Sequence, residues 1–128
     1  MVLREKIENK EARVGIIGLG YVGLPLAVEF AKAGFSVTGI DIDEHRVEKL
    51  NSGTNYIGDV DNDQLSYLVN EGKLIGTTDY STVSELDCVS ICVPTPLSKL
   101  KDPDVSFIQS ALKEIVNHFH ADLLVVLE

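Results

Sequence analysis

The stretch RVGIIGLGYVGLPLAVEF, residues 13–30, sets Gly18, Gly20 and Gly23 in a G-x-G-x-x-G frame between an apolar run and a helical period. By itself such a frame is also compatible with a plain tight turn, so its surroundings decide its meaning. Arg13 to Gly18 is short, apolar and rich in β-branched residues, the composition of a buried strand. From Tyr21 to Ala33 the period changes: Val22, Leu26, Phe30 and Ala33 recur at helical spacing, and Gly34 stands where a helix ends. The run FSVTGID then predicts a second strand ending at Asp41, about twenty residues beyond the frame. Strand, glycine turn, helix, strand and terminal carboxylate together form the dinucleotide-binding arrangement.

Each residue of that arrangement has a physical task. Gly18 lets the chain turn sharply from strand to helix. Gly20 lacks a Cβ, so a pyrophosphate can approach the main chain, and Gly23 lets the helix pack closely on the strand. The free N–H groups of the first helical turn, aided by the helix dipole, attract the diphosphate. Pro25 is compatible with an early helical position, where no N–H is needed, and predicts a helix start near Tyr21. Asp41 can accept hydrogen bonds from both hydroxyls of an adenosine ribose, whereas a 2′-phosphate would meet its like charge; NAD is therefore expected over NADP. Arg46, shortly after, has two readings: a solvated helix residue, or a contact to the adenine or ribose.

The rest of the chain continues the alternation. Helices are predicted over residues 43–53, 63–72 and 102–120, the last capped by Asp104 and striped by Val105, Ile108, Leu112, Ile115 and Phe119. Strands are predicted over residues 74–79, 88–95 and 122–128, with a short helical turn at residues 80–86. This pattern specifies a doubly wound parallel sheet of Rossmann type, three αβα layers joined by right-handed crossovers. The length of 128 residues fits one domain, and 45% hydrophobic against 24% charged residues permits a real core. The chain stops inside DLLVVLE, which predicts a fragment of a longer protein, cut after the fifth or sixth strand. The net charge of −9 excludes a general nucleic-acid binder, which needs a basic face. No apolar run approaches the ~20 residues of a membrane span, and the charged N-terminus has no signal-peptide core, so a cytoplasmic protein is expected.

Other candidates are weaker. Cys88 and Cys92, four strand residues apart, lie about 13 Å from each other, too far for a disulfide, and read as small core residues. Asp59, Asp61 and Asp63 imitate the start of a calcium loop, but Gln64 and Asn70 stand where Gly and Glu are required. His118 and His120, two apart on a helix, diverge and suit its C-terminal end rather than a metal. CVPTPL follows the fourth strand at its carboxyl end, where α/β sheets bind ligands; Pro94 and Pro96 stiffen Thr95, which offers an N–H and a hydroxyl, although the same loop also reads as a rigid strand-to-helix connection, and TTD at residues 77–79 is a vaguer case of the same kind.

GLGYVGLPLAVEFAKAGF, GIDIDEHRVEKLNSG, CVPTPL with DPDVSFI, and LLVVLE together resemble the NAD-binding domain of the UDP-glucose/GDP-mannose dehydrogenase family. The resemblance spans essentially the whole chain. GLPLA after the third glycine is more similar to the branch acting on UDP-N-acetylhexosamines, UDP-N-acetylglucosamine above all, than to the branch acting on UDP-glucose. It implies oxidation of the sugar's C6 alcohol to a carboxylate with reduction of two NAD⁺, the intermediate aldehyde being trapped on a cysteine. That cysteine, with a lysine and an asparagine for the oxyanion, belongs to later domains of the family, so no catalytic residue is expected here and neither Cys88 nor Cys92 matches it. The UDP-sugar would be met through those domains, and the full-length protein would be a homo-oligomer. By the same resemblance Gly18, Gly20, Tyr21, Val22, Gly23, Asp41 and Arg46 contact NAD, with Thr95 and Glu128 on the nicotinamide side. Two alternatives stay open: a 6-phosphogluconate or 3-hydroxyacid type dehydrogenase domain, against which the CVPTPL and DPDVSFI pair speaks, and a non-catalytic NAD-sensing module.

Overall fold

The structure, a computed structural model, describes residues 2–128. Five parallel strands, β1 (Arg13–Ile17), β2 (Ser36–Ile40), β3 (Leu74–Thr77), β4 (Cys88–Ile91) and β5 (Leu124–Leu127), form one sheet in the order β3-β2-β1-β4-β5. Helices α1 (Leu3–Glu8), α2 (Gly23–Lys32), α3 (Glu44–Asn51), α4 (Asn62–Asn70) and α5 (Ser106–Asn117) connect or precede them, with a 3₁₀ turn at Tyr80–Glu85. This is the Rossmann-type doubly wound architecture expected from the alternation. No helix among the described residues is long and apolar enough to cross a membrane.

β1 is central and buried on both sides, which explains its unbroken apolar run: Val14, Ile16 and Ile17 are all buried. Two cores sit on opposite faces. One joins Val14, Ile16 and Val37 to α2, α3 and α4 through Leu24, Ala27, Leu50 and Leu65. The other joins Ile17, Ile40 and Ile91 to the 3₁₀ turn and α5 through Val83, Leu86, Ala111 and Ile115.

Two helices differ from their predicted faces. α2 starts at Gly23 rather than near Tyr21, and its buried side is Leu24, Ala27, Val28 and Ala31. Leu26 and Phe30 are only partly buried, and Val22 and Ala33 are exposed. The helix is apolar around more than one side, so its period leaves the rotation open; the small alanines allow the closest approach to the sheet. α5 spans Ser106–Asn117 instead of residues 102–120, because Leu97 and Pro103 pair across a short antiparallel bridge that occupies the preceding residues. Asp104 still accepts the Ser106 N–H at 2.9 Å. The buried residues of α5 are Ala111 and Ile115, whereas Val105, Leu112 and Phe119 are exposed.

Candidate functional site

The chain runs β1, β2, β3 toward one edge and then crosses to β4 and β5 on the other side, so the sheet reverses between β1 and β4. Ligands bind beyond the carboxyl ends of strands at such a reversal. Gly18 and Cys92 flank it: Cys92 N–H donates to Ile17 O at 2.7 Å, and Gly18 N–H donates to Ile40 O at 2.8 Å. Gly18 has φ +95°, and a Cβ there would stand 2.8 Å from the Cys92 carbonyl oxygen. Both facts require glycine. Gly23 is still tighter, since its Cβ would fall 1.6 Å from the Gly18 oxygen. The third glycine of the frame thus lets α2 begin directly against the turn itself.

Beside Gly20 the situation is reversed. The only atom of the described residues near its would-be Cβ is Arg46 Nη1, at 3.7 Å. Among the described residues, no acceptor pairs with the N–H groups of Gly20, Tyr21, Val22 or Gly23. Four unpaired donors at the start of a ten-residue helix favour an anion.

Asp41 is buried where β2 ends, and both its oxygens are engaged. Oδ2 accepts the Leu19 N–H and Oδ1 the Asp43 N–H, each at 2.8 Å. Arg46 Nη1 lies 3.5 Å from Oδ2, and its Nε lies 3.8 Å from Asp43 Oδ2. A carboxylate has about four lone-pair sites, so acceptor capacity remains beyond the Leu19 and Asp43 N–H groups. Arg46 owes its place to α3, whose first turn is capped by Asp43 accepting the His45 and Arg46 N–H groups.

These groups line an open cleft of ≈ 1130 Å³. It gathers Gly18, Gly20, Tyr21, Val22, Asp41, Arg46, Thr95 and Glu128 from four strand ends, while Gly23 supports the cleft from behind. That volume suits a dinucleotide-sized ligand.

Residues 12–128 match the NAD-binding domain of the UDP-glucose/GDP-mannose dehydrogenase family. The chain belongs to that family. It is 36% identical over 117 residues to a UDP-N-acetyl-D-mannosamine dehydrogenase of Pyrococcus horikoshii, covering 91% of this chain and 28% of that protein. The solved structure of the UDP-D-ManNAc dehydrogenase of Pyrococcus horikoshii superposes with TM-score 0.84 at 35% identity, over 91% of this chain and 28% of the other. An NDP-N-acetyl-D-galactosaminuronic acid dehydrogenase of Methanosarcina mazei superposes with TM-score 0.85 at 30% identity, over 100% of this chain and 30% of the other. The chain therefore spans little more than a quarter of the length of these relatives.

In this NAD-binding domain the cleft also contains residues outside the cofactor set expected from the sequence. Ile42 and Asp43 follow Asp41; Thr78 to Ser81 follow β3; Ser110 and Glu114 come from α5, and His118 directly follows it. The first two groups carry a usable signal, since each lies at or just past the carboxyl end of a predicted strand. The α5 residues carry none, because their approach depends on how α5 packs on the 3₁₀ turn. Neither cysteine is primed as a nucleophile. Burial pushes the Cys92 thiol up; the Ser90 hydroxyl at 3.7 Å opposes this and the Glu128 charge adds to it. Burial and the Asp87 charge likewise raise Cys88. Thiols held protonated in this way are poor nucleophiles at neutral pH.

Proposed function

We infer that this chain is the cofactor-holding part of a nucleotide-sugar 6-dehydrogenase whose substrate is a UDP-N-acetylhexosamine. The unpaired N–H groups of Gly20, Tyr21 and Val22 take the diphosphate, with Gly18 and Gly23 shaping the turn. Asp41 takes the adenosine ribose and Arg46 flanks it, while Thr95 and Glu128 face the nicotinamide side. The observation that carries this reading is the direct tie between Asp41 and the glycine turn, which puts a ribose acceptor and a set of anion donors on one rigid corner. When bound, NAD supplies the hydride acceptor; the chain's own residues bind and orient it. Residues 1–128 are read as one cofactor domain, and the raised thiols of Cys88 and Cys92 support placing the covalent step in other parts of the protein.

For the sugar, GLPLA and the names of the relatives above support an N-acetylhexosamine. UDP-N-acetyl-D-mannosamine and UDP-N-acetylglucosamine are both within that class. The test has two arms. Calorimetry of this chain should give tighter binding of NAD than of NADP, and absence of binding overturns the cofactor assignment. The parent protein, assayed with NAD and each UDP-sugar, should oxidise an N-acetylhexosamine faster than UDP-glucose; the opposite order overturns the substrate assignment. Turnover by residues 1–128 alone would overturn the placement of the covalent step.

A further inference from the structure

Tyr56 lies in the connection between α3 and α4, outside the cleft lining, yet its hydroxyl donates to the Leu19 carbonyl at 2.7 Å. Leu19 is the residue between the first two glycines of the frame, and it is fixed on every side. Its N–H is taken by Asp41 at 2.8 Å. Its side chain is fully buried over Gly39, where a Cβ would stand 2.6 Å from Leu19 Cδ2. Tyr56 takes the remaining group, the carbonyl.

The Leu19 carbonyl and the Gly20 N–H belong to one peptide unit. In a planar trans peptide the two point in opposite directions. A carbonyl drawn toward Tyr56, away from the cleft, therefore turns the Gly20 N–H toward it. The tether is stiff. The Asn55 side chain accepts the Ile57 N–H at 2.9 Å and donates to the carbonyls of Ile57 and Val60. The Asn55 N–H donates to Asn62 Oδ1 at 2.7 Å, and Ile57 and Val60 are buried in the core. Tyr56 thus comes from a braced segment and not from a free loop.

We propose that Tyr56 is a positioning residue for the dinucleotide: its hydroxyl, by holding the Leu19 carbonyl, aims the Gly20 N–H at the diphosphate. Burial, with the Asp41 charge adding to it, holds the phenol above its ordinary value, so the hydroxyl stays a donor well into alkaline solution. The inference rests on the cofactor reading above. It adds a residue that does not line the cleft and acts through one peptide unit.

The test compares the 128-residue chain with its Tyr56→Phe variant, which keeps the ring and loses only the donor. Calorimetry should show NAD binding weakened roughly fivefold, the worth of one neutral hydrogen bond, with binding of adenosine, which has no phosphate, unchanged. In ¹⁵N–¹H spectra of the unaltered chain, the Gly20 amide should be among those most shifted by NAD. NAD affinity in Tyr56→Phe within twofold of the unaltered chain overturns the proposal. So does an equal loss for adenosine, which marks a general loosening, and so does a Gly20 amide that NAD leaves unmoved. An unaltered chain that binds no NAD overturns the cofactor reading itself, and this inference with it.

Discussion

Asp41 Oδ2 accepts the Leu19 N–H at 2.8 Å, so the carboxylate that ends β2 also holds the turn that ends β1. Two parts of one binding corner are joined by a single side chain. Asp41→Asn keeps the shape but replaces one acceptor by a donor, and it cannot satisfy both the Leu19 and the Asp43 N–H groups. We expect a stability loss of about 1–3 kcal/mol in urea unfolding, the cost of one unsatisfied buried donor. NAD binding should weaken about tenfold and the preference over NADP should narrow, because the charge repelling a 2′-phosphate is gone. Calorimetry with both dinucleotides decides; an unchanged preference excludes Asp41 as the discriminating group.

The second and third glycines of the frame should fail differently. A Cβ at Gly20 enters the cleft with only Arg46 Nη1 near it, whereas a Cβ at Gly23 collides with the Gly18 oxygen. Gly20→Ala should leave the unfolding midpoint nearly unchanged and weaken NAD binding at least about tenfold, by blocking the approach to the main chain. Gly23→Ala should destabilise by about 3 kcal/mol or more, since backbone cannot move aside as a side chain can. Paired thermal unfolding and calorimetry measure both. Equal loss of stability in the two variants contradicts this division.

Asn51 protects an edge. β3 is an outer strand, and the Asn51 carboxamide binds both free groups of Gly76: Nδ2 donates to its carbonyl at 2.9 Å and Oδ1 accepts its N–H at 2.8 Å. The side chain thus completes the ladder where another strand could pair. Asn51→Ala should cost about 1–2 kcal/mol and raise the tendency to aggregate, with NAD affinity intact. Light scattering and urea unfolding test this, and an unaffected urea midpoint removes the staple from the account.

The amino-terminal helix is anchored through Asp87. Its Oδ1 meets Lys6 Nζ at 3.0 Å and its Oδ2 accepts the Arg13 N–H at 2.8 Å. Burial alone pushes this carboxyl up, but the Arg13 N–H and the Lys6 ammonium outweigh it, and the net direction is below the ordinary 3.8. A group that titrates lower when folded binds fewer protons in the folded state. Its contribution is therefore complete above the ordinary aspartate range and fades as the pH falls through that range toward the folded value. Asp87→Asn should cost about 1–2 kcal/mol near pH 7, and the difference from the unaltered chain should shrink toward pH 3. A difference that does not vary between those two pH values argues against the carboxylate as the anchor.

Much of this molecule was legible in its residues because local patterns carried it. The β-branched run of β1, the glycines after it and the carboxylate ending β2 specify a parallel α/β sheet with a phosphate-ready helix start. That follows from strand burial, from backbone reach at glycine and from the place of Asp41, all properties of short segments. Asp43 as the cap of α3 is similarly local. Only the tertiary structure decided which side of α2 faces the sheet, because that helix is apolar around more than one side and its alanines seat it by close approach. It alone shortened α5 and put Ala111 in the core beside Ile115, while Val105, Leu112 and Phe119 of the predicted stripe stayed exposed. Tyr56 on the Leu19 carbonyl was likewise hidden: 37 residues separate them, and a contact at that range follows from how loops fold over a finished sheet, not from any period in the chain.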